Sequence, residues 1–229
     1  MNERGIVEGA GLKKSKVFVV DDHQLIRQGL ALIINRETDL VVCGEAEDAP
    51  TAMDAIATTH PDILIVDISL NGPDGLDLLK EMRMRNPEVR VLILSMHDEK
   101  IYAERALRAG AQGYVMKQEA AGKVLVALRR ILGGEIYVSE QISDRMMQRY
   151  IGGPSVGKPS SIADLTDREL EVFRLLGEGQ STREIAETLH ISVKTVESYQ
   201  AHIKEKLSLR SARELLQHAI QWCMDENSK

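Results

Sequence analysis

Five residues able to handle a divalent cation and a phosphoryl group stand at the ends of short apolar runs. Asp21 and Asp22 follow KVFVV, Asp67 follows DILIV, Ser95 closes VRVLILS and Lys117 closes QGYVMK. Clustered carboxylates repel one another unless a hard cation sits among them, and magnesium prefers oxygen ligands from carboxylates, carbonyls and water. A lysine beside such a cluster and a hydroxyl opposite can hold the oxygens of a phosphoryl group. Taken singly, each residue has a plainer reading: an Asp at a strand end caps the next helix, and a lone Lys is a solvated side chain. Five of them at five expected places reverse the odds.

These positions are brought together only if the runs before them are parallel strands. From residue 16 the chain alternates short apolar runs with amphipathic ones: KVFVV then HQLIRQGLALII, DLVVCGEA then APTAMDAIATTH, DILIVDI then GLDLLKEMRMR, and so on to AAGKVLVALRRIL. Continuous apolar strands suit a sheet covered on both faces, and alternation with helices implies parallel strands with right-handed crossovers. A doubly wound α/β domain of about 120 residues is expected, with ligands at the carboxyl ends of its strands. A dinucleotide fold is the alternative, but VFVVDDHQ stands where its glycine-rich turn would follow the first strand.

The second half is helical. Thr166, Ser181 and Ser211 each begin an S/T-x-x-E capping box, with Glu169, Glu184 and Glu214 as partners, and Ser192 is a further N-cap. Four helices are predicted, over 166–177, 181–189, 192–206 and 211–223. The turn at 190–192 is the short connection of a helix-turn-helix. Between the two halves lies IGGPSVGKPSS (151–161), where Gly152, Gly157 and Lys158 have the spacing of a phosphate-cradling loop. Pro159 occupies the place of the Ser or Thr that would hold magnesium, and MMQRY, not a buried strand, precedes the loop. Gly, Pro and Ser in a linker produce such spacings by chance. The expected organisation is therefore a flexible leader (1–15), an α/β domain (16–136), a linker (137–163) and a helix-turn-helix domain (164–229).

Composition narrows the function classes. No apolar run reaches the length of a membrane helix, and the first residues lack the apolar core of a secretory signal, so a cytoplasmic protein without a membrane partner is expected. Cys43 and Cys223 have no metal-ligand neighbours in sequence and are read as reduced. The formal charge of −6 argues against a generic polybasic binder, so contact with nucleic acid must be regional. Over 192–213 five cations (Lys194, Lys204, Lys206, Arg210, Arg213) stand against two acids, Glu197 and Glu205, and form an outward cationic stripe suited to groove docking, although 164–229 as a whole carries nine Lys and Arg against twelve Asp and Glu. In helix 192–206 the apolar positions Val196, Tyr199 or Gln200, Ile203 and Leu207 define a buried face. Lys194, Glu197, Ser198, Ala201 and Lys204 are left on the opposite one.

VDD, ILIVDISL, ILS and YVMK resemble, in order and spacing, the four motifs of the receiver domain of two-component response regulators. The segment from Leu165 to Leu207 resembles the LuxR-type helix-turn-helix, so the chain is similar to the NarL/FixJ class of transcriptional regulators. The resemblance implies a five-stranded flavodoxin-like receiver, with Asp67 as phosphoacceptor for a sensor histidine kinase. It implies Mg2+ held by Asp21, Asp22, Asp67 and the Ser69 carbonyl, Ser95 and Lys117 on the phosphoryl oxygens, and Tyr114 as an aromatic that turns inward on activation. Ser69 and His97 would flank the path of hydrolytic water. In the DNA-binding half it implies Glu197, Ser198 and Ala201 facing bases, with Lys194 and Lys204 beside them and Thr195 on phosphate; Lys204, a long cation near the C-terminal end of the exposed face, is placed to reach phosphate as well. Double-stranded DNA is then a partner, a homodimer forms on phosphorylation, and RNA polymerase is admitted as a further partner. The chain departs from the family at Asn71, where a proline is usual (here Pro73), and in lacking lysine at two of the base-facing positions.

An enzyme hydrolysing nucleotides at the linker, and a receiver acting by protein contact alone, are the competing classes. Saturable ATP binding lost in Lys158→Ala would mark the first, and absence of any selected DNA fragment the second.

Overall fold

The computed structural model describes residues 14–70, 75–152 and 162–227. Most of the leader, Asn71 and Pro73, and Gly157 and Lys158 lie outside them. Five strands, β1 (Ser15–Val20), β2 (Leu40–Ala46), β3 (Ile63–Val66), β4 (Arg90–Ser95) and β5 (Gly113–Met116), alternate with α1 (Gln24–Asn35), α2 (Ala49–Thr59), α3 (Gly75–Arg85), α4 (Glu99–Ala109) and α5 (Ala120–Leu132). All neighbouring strands are parallel, in the order β2-β1-β3-β4-β5. The strand order reverses between β1 and β3, which opens a crevice at their carboxyl ends.

The apolar strands are divided by their two-residue period. Phe18, Val20, Leu64, Val66, Val91 and Ile93 face the side covered by α2, α3 and α4. Val17, Val19, Ile63, Ile65, Leu92 and Leu94 face α1 and α5, where Ile34, Leu128 and Ile131 are fully buried. Burying each such side chain contributes roughly 1.5–3 kcal/mol, so a strand needs both faces covered to hold its place.

The stretch expected as linker is partly structured. Tyr137 bridges to Gly113 at the sheet edge, and α6 (Glu140–Gly152) follows. Ser139 starts that helix by accepting the Ile142 N–H and donates to Glu99 of α4, Arg145 donates to the Lys100 carbonyl, and Ile142 is buried. EQISDRMMQRYIG reads as polar, but Ile142 and Met146, four apart, give it one narrow apolar stripe that α4 covers.

The four C-terminal helices are α7 (Asp167–Gly177), α8 (Thr182–Thr188), α9 (Val193–Lys206) and α10 (Ala212–Asn227). Thr166 and Ser181 close complete capping boxes, and Ser192 accepts the Thr195 N–H. At Ser211 the box is rearranged: its hydroxyl accepts the Glu214 N–H, while the Glu214 carboxylate accepts the Arg210 N–H. The turn between α8 and α9 is closed at a left-handed His190 (φ 54°), with the Ile191 N–H returning to the Ala186 carbonyl. Phe173 and Trp222 pack at 5.5 Å in the centre of this module.

The two halves touch through the start of α7. Asp167 accepts from Lys80 of α3 at 2.9 Å and Arg105 of α4 at 3.1 Å, and Arg105 also donates to the Leu165 and Ile162 carbonyls. Arg168 pairs with Asp77 at 2.9 Å.

Candidate functional site: an acidic pocket and an exposed helix face

Asp21 leaves β1 and Asp67 leaves β3, neighbouring strands at the reversal point, so the topology sets the two carboxylates side by side. Each is 2% exposed. Lys117, one residue beyond β5, places Nζ 2.7 Å from Asp21 Oδ2 and 2.7 Å from Asp67 Oδ2. Asp67 Oδ1 is buried and makes no hydrogen bond. Burial raises the Asp67 carboxyl above its ordinary value, against the pull of Lys117 and of the nearby Ser69 backbone. Burial also opposes the Lys117 charge, but Asp67 and Asp21 outweigh it and raise that pKa. An ammonium between two carboxylates, with a further carboxylate oxygen left without a partner, is an arrangement short of positive charge and of donors. Asp21, Asp22 and Asp67 offer the hard oxygen donors that magnesium takes.

Ser95 is fully buried at the end of β4, in register with Met116, the residue before Lys117. Its hydroxyl accepts the His97 N–H at 3.2 Å. Ser69 and His97 meet, Oγ to Nε2, at 2.7 Å, and the His97 ring stacks on Tyr102 with centroids 4.5 Å apart. Tyr114 is already inward and 2% exposed, donating its hydroxyl to the His97 carbonyl at 2.8 Å. His97 therefore joins the loop after β3, the end of β4 and Tyr114 of β5.

Two further residues at the pocket carried little or no sequence signal. Arg27, 9% exposed, donates from Nη1 to the Asp21 carbonyl at 2.6 Å and so ties α1 to the first carboxylate. His23 turns Nδ1 towards both Asp21 and Asp22. Its place directly after the Asp pair was the available signal; for Arg27, six residues from Asp21, there was none.

On the second half, Val196, Ile203 and Leu207 are buried against α7, α8 and α10, as their spacing requires. Lys194, Glu197, Ser198 and Ala201 are exposed together on one face of α9, while Thr195 and Lys204 are half-buried. Thr195 shares a hydrogen bond with the Ser192 hydroxyl at 2.7 Å. One expectation is corrected: Lys206 does not belong to the outward cationic stripe. Its ammonium lies 2.7 Å from Glu169, the capping glutamate of α7, and that pairing, with the Thr166 N–H, overcomes burial and holds the Glu169 carboxyl below its ordinary value. The phosphate-loop spacing also fails at its start, because the residues leading into it form helix α6 and not a strand. Among the described residues no helix is long and apolar enough to cross a membrane.

Residues 17–129 match the family model of the response regulator receiver domain, and residues 163–219 that of the bacterial regulatory proteins of the luxR family. The oxygen regulatory protein NreC of Staphylococcus epidermidis is 34% identical over 210 residues, covering 90% of this chain and 96% of its own. Among solved structures, RcsB from Salmonella enterica serovar Typhimurium, bound to promoter rprA in the presence of the phosphomimetic BeF3−, matches with a TM-score of 0.69 at 26% identity, over 90% of this chain and 98% of that one. A LuxR-family two-component response regulator from Aurantimonas matches with a TM-score of 0.56 at 32% identity, over 60% of this chain and 99% of its own.

Proposed function

The chain belongs to the two-component response regulators of the NarL/FixJ class, and on that premise we propose that it is a cytoplasmic, phosphorylation-switched transcription factor. It takes a phosphoryl group on Asp67 from a sensor histidine kinase and binds double-stranded DNA as a homodimer. The observation that carries the reading is the buried, unpartnered Asp67 Oδ1 beside the Lys117 ammonium. A nucleophilic oxygen is held next to the cation that will neutralise its product.

Asp67 attacks the phosphorus of the phosphohistidine in line. The P–N bond breaks, the imidazole nitrogen keeps the electron pair and takes up a proton, and an acyl phosphate remains. Asp21, Asp22, Asp67 and the Ser69 carbonyl would hold magnesium, which would supply charge neutralisation for the phosphoryl oxygens. Lys117 stays on the new dianion, and the Ser95 hydroxyl donates its own proton to it. Roughly two negative charges are added at the pocket. Ser95 and the inward Tyr114 both engage His97, so the favoured arrangement of the α4 side is selected from states already present. RcsB, the relative found on promoter DNA with BeF3− and as dimers on two DNAs, supports the DNA and dimer parts of this reading.

The test is a selection from fragmented genomic DNA with the full chain, before and after phosphorylation by a kinase or a small phosphoramidate in magnesium. Fragments enriched by the phosphorylated form support the reading; no enrichment in either form leaves a receiver that acts by protein contact.

The exposed face of α9 gives a sharper expectation. Lys204 is a long cation near the C-terminal end of that face, placed for phosphate, whereas Glu197 can accept from cytosine N4. Lys204→Ala should weaken binding to all sequences alike and reduce the salt slope by about one phosphate. Glu197→Ala should alter preference at one or two base pairs, by ~1–3 kcal/mol, with the salt slope unchanged. Selections from randomised DNA at two salt concentrations separate the two. An identical preferred sequence for wild type and Glu197→Ala would leave base readout to Ser198 and Ala201.

The Ser69–His97 bond closes one side of the acceptor loop, and we infer that it slows the approach of hydrolytic water. His97→Ala should shorten the phosphoryl lifetime about threefold, which corresponds to less than about 1 kcal/mol of barrier. Equal decay of the two acyl phosphates at the same magnesium concentration would remove that role.

A further inference from the structure

We propose that His23 is a further ligand of the acidic pocket, an inference that rests on the pocket being a divalent-cation site. The site then becomes a mixed nitrogen–oxygen one that takes first-row transition ions such as Co2+ or Ni2+ more tightly than magnesium.

His23 sits at the N-cap position of α1, yet its side chain makes no capping hydrogen bond to the helix. The ring is instead turned back on the pocket. Nδ1 lies 2.6 Å from Asp22 Oδ1 and 3.2 Å from Asp21 Oδ1. Neighbouring ligands of an octahedral ion with bonds of about 2.1 Å stand about 3 Å apart, so these separations suit three donors on one ion. One ligand atom from each of Asp21, Asp22, His23 and Asp67 falls within 4.8 Å of all the others. The fourth of these residues is 2% exposed and keeps a carboxylate oxygen without a hydrogen-bond partner. A carboxylate set alone suits magnesium, whereas one imidazole nitrogen moves the preference towards cobalt, nickel and zinc. His23 is also the most accessible member of the group, its side chain 62% exposed, so it stands where an arriving ion first meets the pocket.

Calorimetric titration of the full chain with NiCl2 and with MgCl2 tests this in wild type, His23→Asn, His23→Phe and Asp67→Asn. Asn keeps a donor for Asp22 but offers no ring nitrogen; Phe keeps the ring shape alone. Both His23 variants should bind Ni2+ at least about tenfold more weakly and lose far less affinity for Mg2+. With Mn2+ bound, pulsed electron paramagnetic resonance should show coupling to an imidazole nitrogen in wild type and none in either His23 variant. Unchanged Ni2+ affinity in the His23 variants, or equal losses for Ni2+ and Mg2+, would overturn the ligand role; equal losses would make His23 an electrostatic support for Asp22. Binding of both ions indifferent to Asp67→Asn would overturn the cation reading of the pocket as well, whereas indifference to His23 alone would overturn only the ligand role.

Discussion

Asp67→Asn should accept no phosphoryl group from a phosphorylated kinase that labels the wild type fully, because an amide is a poor nucleophile for in-line attack and brings no charge to a cation site. Asp21 is a poor substitute. Asp21 is equally buried, but Arg27 holds its backbone carbonyl, and its carboxylate oxygens are engaged by Lys117 and by the His23 N–H. Residual labelling at Asp21 would therefore stay below about a thousandth of wild type, equivalent to about 4 kcal/mol of barrier. A second readout separates loss of chemistry from loss of fold. Burial holds the Asp67 carboxyl above its ordinary value of 3.8, so its contribution to stability is present at low pH and is lost as pH rises through the raised pKa. At neutral pH its ionised form opposes folding, and neutral Asn removes that opposition. The metal-free variant should melt higher than metal-free wild type and gain less from added magnesium. Acid-stable or undiminished labelling in a variant that keeps its melting transition would sink the assignment of Asp67 as the acceptor.

Arg105→Glu should separate the two halves of the molecule. The Arg105 side chain is only 10% exposed, and its guanidinium meets the Asp167 carboxylate and two backbone carbonyls at the entry to α7. A carboxylate in its place would face Asp167 and those carbonyls with no donor. The Asp167 carboxylate is 38% exposed, which screens the pair, so the loss comes mainly from carbonyls left without a donor, about 1–3 kcal/mol, and like charge adds to this. Lys80 also reaches Asp167, but at 44% exposure it contributes at most about 1 kcal/mol, so Lys80→Ala should leave the halves docked. X-ray scattering should show a larger radius of gyration and maximum dimension for Arg105→Glu, and calorimetry two transitions where the wild type has a coupled one. An unchanged scattering curve would show that Arg105 is not what holds the halves together. The pH dependence has a definite sign. Burial raises the Asp167 pKa, but Lys80 and Arg105 outweigh it and hold the carboxyl below its ordinary 3.8. The contribution of Asp167 to docking is thus full at neutral pH, declines as pH falls below that value and is gone once pH has fallen through the lowered one. Because the contact uses the start of α7, Lys194, Glu197, Ser198 and Ala201 stay exposed in the docked form, and affinity for an isolated half-site should not change.

Much of the fold was legible in the sequence because it is local or topological. The capping boxes at Thr166 and Ser181 join residues three apart, so the helix starts were visible as patterns. The turn at His190 was visible as the short gap between two such patterns. The acidic pocket is not local, yet it too could be read, since parallel strands with right-handed crossovers bring all their carboxyl ends to one rim whatever the lengths between them. Helix α6 was hidden because its sequence is mostly polar and its stripe of Ile142 and Met146 gains a meaning only once α4 lies beneath it.

By itself the sequence determined the order of elements, the two-module organisation, the set of residues at the strand ends and the exposed face of α9. Each follows from the period of apolar residues or from a cap a few residues away. Tertiary structure alone decided which charges meet: Lys117 shared between Asp21 and Asp67, Lys206 withdrawn from the α9 stripe by Glu169, His23 folded back on the carboxylates, and Arg105 closing on Asp167 from 62 residues away. The physical reason is that a charged side chain has no periodic signature. Its partner is whichever opposite charge the packed elements bring within about 3–4 Å, and that distance exists only after the apolar faces have been buried.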